Sequence, residues 1–210
     1  MTPKTILFDF DGTIADTTKK FIEIADILAS KYNFQQFDIS KISEFKNHTL
    51  LDLALNYFKI PWYKIPFVVI DFKRLLAKSA HKTKLYPDIK DILTELKSKG
   101  FRVGLLTSSP TKSVEIVLKK FEMSDFFEFV KTNASYYSKQ NDIQKIIHKN
   151  QLNKSEVYYI GDEIRDLNAC KKIGVHCISV SWGFSSKELL LSHNPETLLE
   201  KPSQILEYFK

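Results

Sequence analysis

Five short apolar runs, separated by amphipathic stretches, constrain the fold of this chain more than any other feature. They are TILFDF from Thr5, FRVGLLT from Phe101, FFEFVKT from Phe126, VYYIG from Val157 and VHCISVSW from Val175. They are rich in strand-forming residues and carry no 3.6-residue period, as expected of strands buried on both faces. The intervening stretches are helical in pattern. In DIKDILTELKSKG, Ile89, Ile92, Leu93 and Leu96 share one face, and Gly100 supplies a helix end. SVEIVLKKF, DIQKIIHKN and EIRDLNACKKIG repeat the arrangement, the last closing on Gly174. Strand and helix alternating in this way predict an α/β fold, a doubly wound, mostly parallel Rossmann-like sheet.

One segment breaks the alternation. From Ile14 to about Thr83 the pattern is helical throughout, in DTTKKFIEIADILASKY, SEFKNHTLLDLALNYF and FVVIDFKRLLAKSA, with connections at Tyr32–Ile39 and Ile60–Pro66. The prediction is therefore an α/β core of residues 1–14 and 84–210, with residues 15–83 inserted as an all-helical subdomain. A length of 210 residues with 43% hydrophobic content suits one core domain with a modest insert and excludes global disorder.

Composition removes several classes of function. The longest apolar runs fall far short of the roughly 20 residues that span a bilayer. Acids follow the first apolar run at once in MTPKTILFDFDG, unlike a signal peptide. Cys170 and Cys177 are too few for a disulfide framework or a zinc cage, which points to a reducing, cytoplasmic setting. The net charge of +6 comes almost wholly from dispersed lysines, with Arg74, Arg102 and Arg165 the sole arginines. Base and phosphate readout favours arginine forks. The charge therefore argues for solvated helix faces and attraction of anionic substrates, and against a nucleic-acid partner.

Two acidic pairs carry the chemistry. Asp9 and Asp11 stand two apart at the carboxyl end of the first strand, so both side chains point one way, and Gly12 lets the chain turn. Two like charges so close raise each other's pKa unless something neutralises them. Asp162 and Asp166 follow the strand VYYIG four residues apart, on one helical face. Alone they read equally as a helix N-cap and a first-turn acid. Together, the two pairs point to a hard-cation site with oxygen ligands, for which Mg²⁺ is suited. The strand GLLT ends in Thr107-Ser108-Ser109-Pro110, a candidate anion-binding concavity or a simple helix cap. Lys139, before the next helix, is a candidate cation for a phosphate.

The order DFDGT, LLTSS, Lys139, GDEIRD resembles the four-motif series of the haloacid dehalogenase superfamily. KLYPDIKDILTELKSKGF and SVSWGF resemble its phosphoglycolate-phosphatase-like branch, whose helical cap occupies the place of the insert here. The resemblance implies Asp9 as a nucleophile forming an aspartyl-phosphate, and Asp11 as the acid and base. It implies Mg²⁺ held by Asp9, the Asp11 backbone carbonyl and Asp162, with Asp166 in support. It further implies a phosphoryl clamp of Thr107, the Ser108 N–H and Lys139. Gln140 stands where the family usually has proline, so Lys131 remains a second candidate. FKNHT lacks the usual glycine of that cap region, and Lys46, Asn47 and His48 there read as substrate contacts or as a solvated loop. The expectation is a Mg²⁺-dependent phosphatase of a small phosphorylated metabolite. A phosphomutase of the same superfamily and a non-catalytic basic nucleic-acid-binding module are the alternatives.

Overall fold

In the computed structural model, which describes residues 4–38, 45–135 and 137–210, the first strand lies at the centre of the sheet. β1 (Thr5–Phe8) is wholly buried. It pairs in parallel with β4 (Arg102–Leu106) on one side and β6 (Val157–Gly161) on the other, Phe8 standing opposite both Leu105 and Ile160. β5 (Phe129–Lys131) extends the sheet past β4, while β7 (His176–Val180) and β8 (Thr197–Leu199) extend it past β6. The resulting order, β5-β4-β1-β6-β7-β8, is parallel throughout. The chain winds away from β1 in both directions, which opens a crevice at the carboxyl ends of β1, β4 and β6.

The period of two along β1 divides the core. Ile6 and Phe8 join one hydrophobic cluster, with Ile92, Leu93, Leu105 and Val117. Leu7 enters another on the opposite face, with Leu106, Ile143, Tyr159 and Leu167. All five expected strand runs contribute to the sheet, but FFEFVKT supplies only Phe129–Lys131. The backbone at Phe126 instead turns back, its N–H donating to the Met123 carbonyl at 3.1 Å. β8 was not anticipated, because three residues present no readable period.

The helical segment leaves and rejoins the sheet domain through a ribbon. β2 (Ala15–Asp16) and β3 (Lys84–Leu85) pair antiparallel, Ala15 with Leu85 and Asp16 with Lys84. Between them, α1 (Thr18–Tyr32) packs on α3 (Ile65–Ser79), with Phe21 and Phe72 edge to face at 5.0 Å. Tyr32 Oη donates to Asp71 Oδ2 at 2.8 Å. The middle stretch is interrupted after Phe45, which is helical, by a turn over residues 46–49: Thr49 Oγ1 accepts from the Asp52 N–H at 3.2 Å, capping α2 (Leu50–Asp52), which continues as a π-helical turn over Leu53–Tyr57. Ser43 and Glu44, expected within this helix, lie outside the described residues, as does Ile39 in the preceding connection. The connection expected at Ile60–Pro66 is shorter, because Trp62–Lys64 forms a 3₁₀ turn and α3 begins at Ile65. Ile24, Leu28, Phe45, Leu53, Phe58 and Val68 form a hydrophobic cluster within this segment, separate from the two that line the sheet.

Candidate active site

Asp9 lies one residue beyond β1 and stays in register, its N–H donating to the Ile160 carbonyl at 2.8 Å. Its carboxylate is buried and fixed at both oxygens. The Phe10 N–H donates to Oδ1 at 2.8 Å, and Lys139 Nζ donates to Oδ2 at 2.8 Å. The chain then turns at Gly12, where φ is +76°. Asp11 is half-buried and accepts a hydrogen bond from Ser109 Oγ. Burial pushes its carboxyl up to about 6, with Asp9 adding to the rise, while bonds from Ser109 and Thr17 and the charge of Arg165 oppose it. The two acids of DFDG therefore face one cavity from different hydrogen-bonding environments.

At the end of β6 the helix begins one residue later than an Asp162 cap would require. Glu163 is the N-cap of α7 (Ile164–Ile173), in a capping box whose other half is Asp166 Oδ2 accepting from the Glu163 N–H at 3.3 Å. Asp162 turns toward the DFDG loop instead of capping the helix. It accepts from Thr13 Oγ1 at 3.1 Å and from the Phe184 N–H at 2.6 Å. Burial and the neighbouring charges of Glu163, Asp9 and Asp166 drive its pKa well above the ordinary carboxylate range. One oxygen each of Asp9, Asp162 and Asp166 lie within 4.8 Å of one another. The Asp11 carboxylate is outside this group and belongs to Ser109.

Lys139 opens α6 (Lys139–Lys149) and is 1% exposed. Its ammonium lies 2.5 Å from Asp166 Oδ1 and 4.9 Å from the centre of the Tyr159 ring. Burial works against its charge, but Asp166 and Asp9 outweigh burial and raise its pKa. Lys131, the other candidate, is exposed on β5 and takes no part in this cluster.

After β4, Thr107 is buried and its Oγ1 accepts from the Ser109 N–H at 3.0 Å. Ser108 Oγ accepts from Arg165 Nη2 at 3.2 Å. Thr13 and Arg165 are site residues that the sequence reading did not single out, and Ser109 entered it only as part of the Thr107–Pro110 concavity. Nothing in TSSP separates Ser109 from Ser108. Arg165 carried a signal, as one of three arginines in a chain that otherwise uses lysine. Of the candidates in the helical segment, Lys46 lines the cavity and Nζ donates to the Gly183 carbonyl at 2.8 Å. Asn47 Oδ1 accepts from Ser186 Oγ, and His48 pairs with Asp52 at the surface. The cavity, about 520 Å³, runs from Asp9 and Asp11 into the helical segment, between Phe21, Phe45, Phe72 and Phe184.

A doubly wound parallel sheet, with two acids just past its central strand and a buried lysine bridging Asp9 to Asp166, defines an α/β protein of enzyme type. Residues 6–180 match the model of the haloacid dehalogenase-like hydrolases, and the chain belongs to that family. It is 26% identical over 204 residues to a phosphoglycolate phosphatase of Synechococcus elongatus, covering 97% of this chain and 96% of that one. Pyrophosphatase PpaX of Bacillus mycoides is 24% identical, with 96% and 94% covered. A haloacid dehalogenase-like hydrolase of Streptococcus pneumoniae superposes over the whole of both chains, with a TM-score of 0.83 and 25% identity. The chain is therefore a haloacid dehalogenase-like hydrolase. Among the described residues, no helix is long and apolar enough to cross a membrane.

Proposed function

We propose that this hydrolase is a phosphatase, a Mg²⁺-dependent phosphomonoesterase that acts on a small phosphorylated metabolite through an aspartyl-phosphate on Asp9. The observation that carries the reading is the state of Asp9, a buried carboxylate held at one oxygen by Lys139 and at the other by the Phe10 N–H, beside a second carboxyl raised to about 6. In the first half-reaction an Asp9 oxygen bonds to phosphorus as the bond to the leaving oxygen breaks, and protonated Asp11 gives that oxygen its proton. In the second, Asp11 takes a proton from water, the water oxygen bonds to phosphorus and the Asp9–phosphorus bond breaks. Asp11 ends protonated, ready for another cycle. Thr107, the Ser108 N–H and Lys139 would hold the non-bridging phosphoryl oxygens, as phosphoryl transfer depends on positioning and charge neutralisation.

The donor set fits a hard divalent cation. Three buried carboxylates converge, and among the described residues none of the ion pairs involves Asp162. Asp9, the Asp11 carbonyl and Asp162 would hold the ion, with Asp166 in support. When bound, Mg²⁺ supplies positive charge against the phosphoryl oxygens. Residues 15–83 would act as the cap that shapes the leaving-group side of the cavity. The free thiols Cys170 and Cys177 suit a reducing cytoplasm.

The test is turnover of an aryl phosphate and a panel of phosphorylated metabolites, including phosphoglycolate and pyrophosphate, with Mg²⁺ and with chelator. Activity should vanish in chelator and in Asp9→Asn, and should need no added bisphosphate, in contrast to a mutase. Activity of Asp9→Asn within tenfold of wild type refutes the nucleophile.

A further inference from the structure

We infer that Arg165 is a catalytic residue, a second cation that binds the non-bridging oxygens of the phosphoryl group on Asp9. The inference rests on the phosphomonoesterase reading above. Arg165 Nη2 lies 2.7 Å from Glu163 Oε1, 3.2 Å from Ser108 Oγ and 4.0 Å from Asp9 Oδ2. The guanidinium thus stands beside the nucleophile and is too far for a hydrogen bond to it. A phosphoryl group joined to Asp9 would carry its oxygens into the space that Arg165, Ser108 and Lys139 border.

Charge makes the same point. Asp9, Asp11, Asp162, Glu163 and Asp166 gather at this end of the sheet, and among the described residues Lys139 and Arg165 are the cations paired with them. A site with this acid excess repels a phosphate dianion unless cations face it, and Lys139 is already shared between two carboxylates. A purely structural role explains Arg165 poorly. The capping box of Glu163 and Asp166 is complete without it, and a mostly buried guanidinium is costly to desolvate. The residue type is also telling. The chain uses lysine nearly everywhere, yet here it carries a planar fork of donors, the geometry suited to phosphate oxygens.

The deciding experiment measures binding of orthovanadate and inorganic phosphate to the Mg²⁺-loaded protein by calorimetry, and turnover of an aryl phosphate, for wild type, Arg165→Lys and Arg165→Ala. Arg165→Ala should lose about 10²–10³-fold in kcat, the range for removing one charge-stabilising donor. It should lose vanadate affinity in step, and guanidinium ion should restore part of both. Arg165→Lys should lose less than Arg165→Ala. Should Arg165→Ala fail to fold, as judged by its melting curve, Arg165→Lys decides by the same criteria. Vanadate affinity and kcat within threefold of wild type in the folded variants overturn the inference. An inactive wild type whose vanadate affinity still falls on substitution would refute the phosphatase reading and leave the anion contact of Arg165 standing.

Discussion

Gly12 packs against the carboxylate of Asp162 so closely that a Cβ at residue 12 would lie 2.1 Å from Asp162 Oδ2. Its φ of +76° is itself a conformation that residues with a side chain rarely adopt. Both constraints arise because the DFDG loop must double back over the end of β6 to bring the two acidic pairs together. Gly12→Ala should therefore cost more than the ~1 kcal/mol typical of a Gly-to-Ala change at a compatible site, and with the opposite sign. A lower melting temperature together with at least a tenfold loss of activity is expected. Wild-type values for both would refute the close packing.

Lys139 neutralises two buried carboxylates at once, and its removal should leave Asp166 without its ion pair and Asp9 facing only the Arg165 guanidinium at 4.0 Å. Breaking a buried ion pair from one side costs about 3–5 kcal/mol. Lys139→Met should lose stability of that order in urea unfolding. Adding Asp166→Asn should recover part of the loss, because one orphaned charge is then gone. A double variant less stable than Lys139→Met would contradict this pairing.

Asp11 gives a signed dependence on pH. Its folded value of about 6 lies above the ordinary 3.8, so the folded chain holds this proton more tightly than the unfolded chain. The stability it contributes is fully present below the ordinary value and is lost as pH rises through the folded one. Asp11→Asn cannot ionise, so in chelator its melting temperature should gain on wild type between pH 4 and pH 7. With alkyl phosphates the variant should lose about 10²–10⁴-fold in turnover, the range for general acid–base help. A melting difference that is flat across this interval would show that burial does not raise the Asp11 carboxyl.

Asp162→Asn separates function from stability. Asparagine keeps an oxygen for the Phe184 N–H and an amide that can donate to Thr13 Oγ1, while one charge leaves a crowded site. In chelator the variant should melt at or above the wild-type temperature, by ~0.5–2 kcal/mol of stability. In saturating Mg²⁺ the order should reverse, since wild type gains binding free energy that the variant lacks. A variant much less stable than wild type in chelator would make Asp162 mainly structural.

The sequence by itself determined the features that local patterning encodes. The apolar runs gave the sheet its strands, and the order of elements made it parallel, because a strand–helix–strand crossover returns in the same direction. The break in alternation after Ile14 marked the helical segment. The acids Asp9 and Asp162 were legible because each follows a buried strand directly, and the chain can place such residues only at a strand's carboxyl end.

Tertiary structure alone decided what depends on distant partners. Between Lys131 and Lys139 the sequence offers no physical distinction. The choice follows from where α6 docks, bringing Lys139 to an acid 130 residues away. The ribbon of β2 and β3 and the strand β8 are two or three residues long, too short to show a period, and exist because neighbours supply their hydrogen bonds. Glu163 rather than Asp162 caps α7, since Asp162 is held by Thr13 and Phe184 from remote loops. Arg165 joins Ser108 across 57 residues for the same reason. Periodicity reports which face of an element is buried, whereas a site is made of contacts between the ends of several elements, and those arise only when the elements pack.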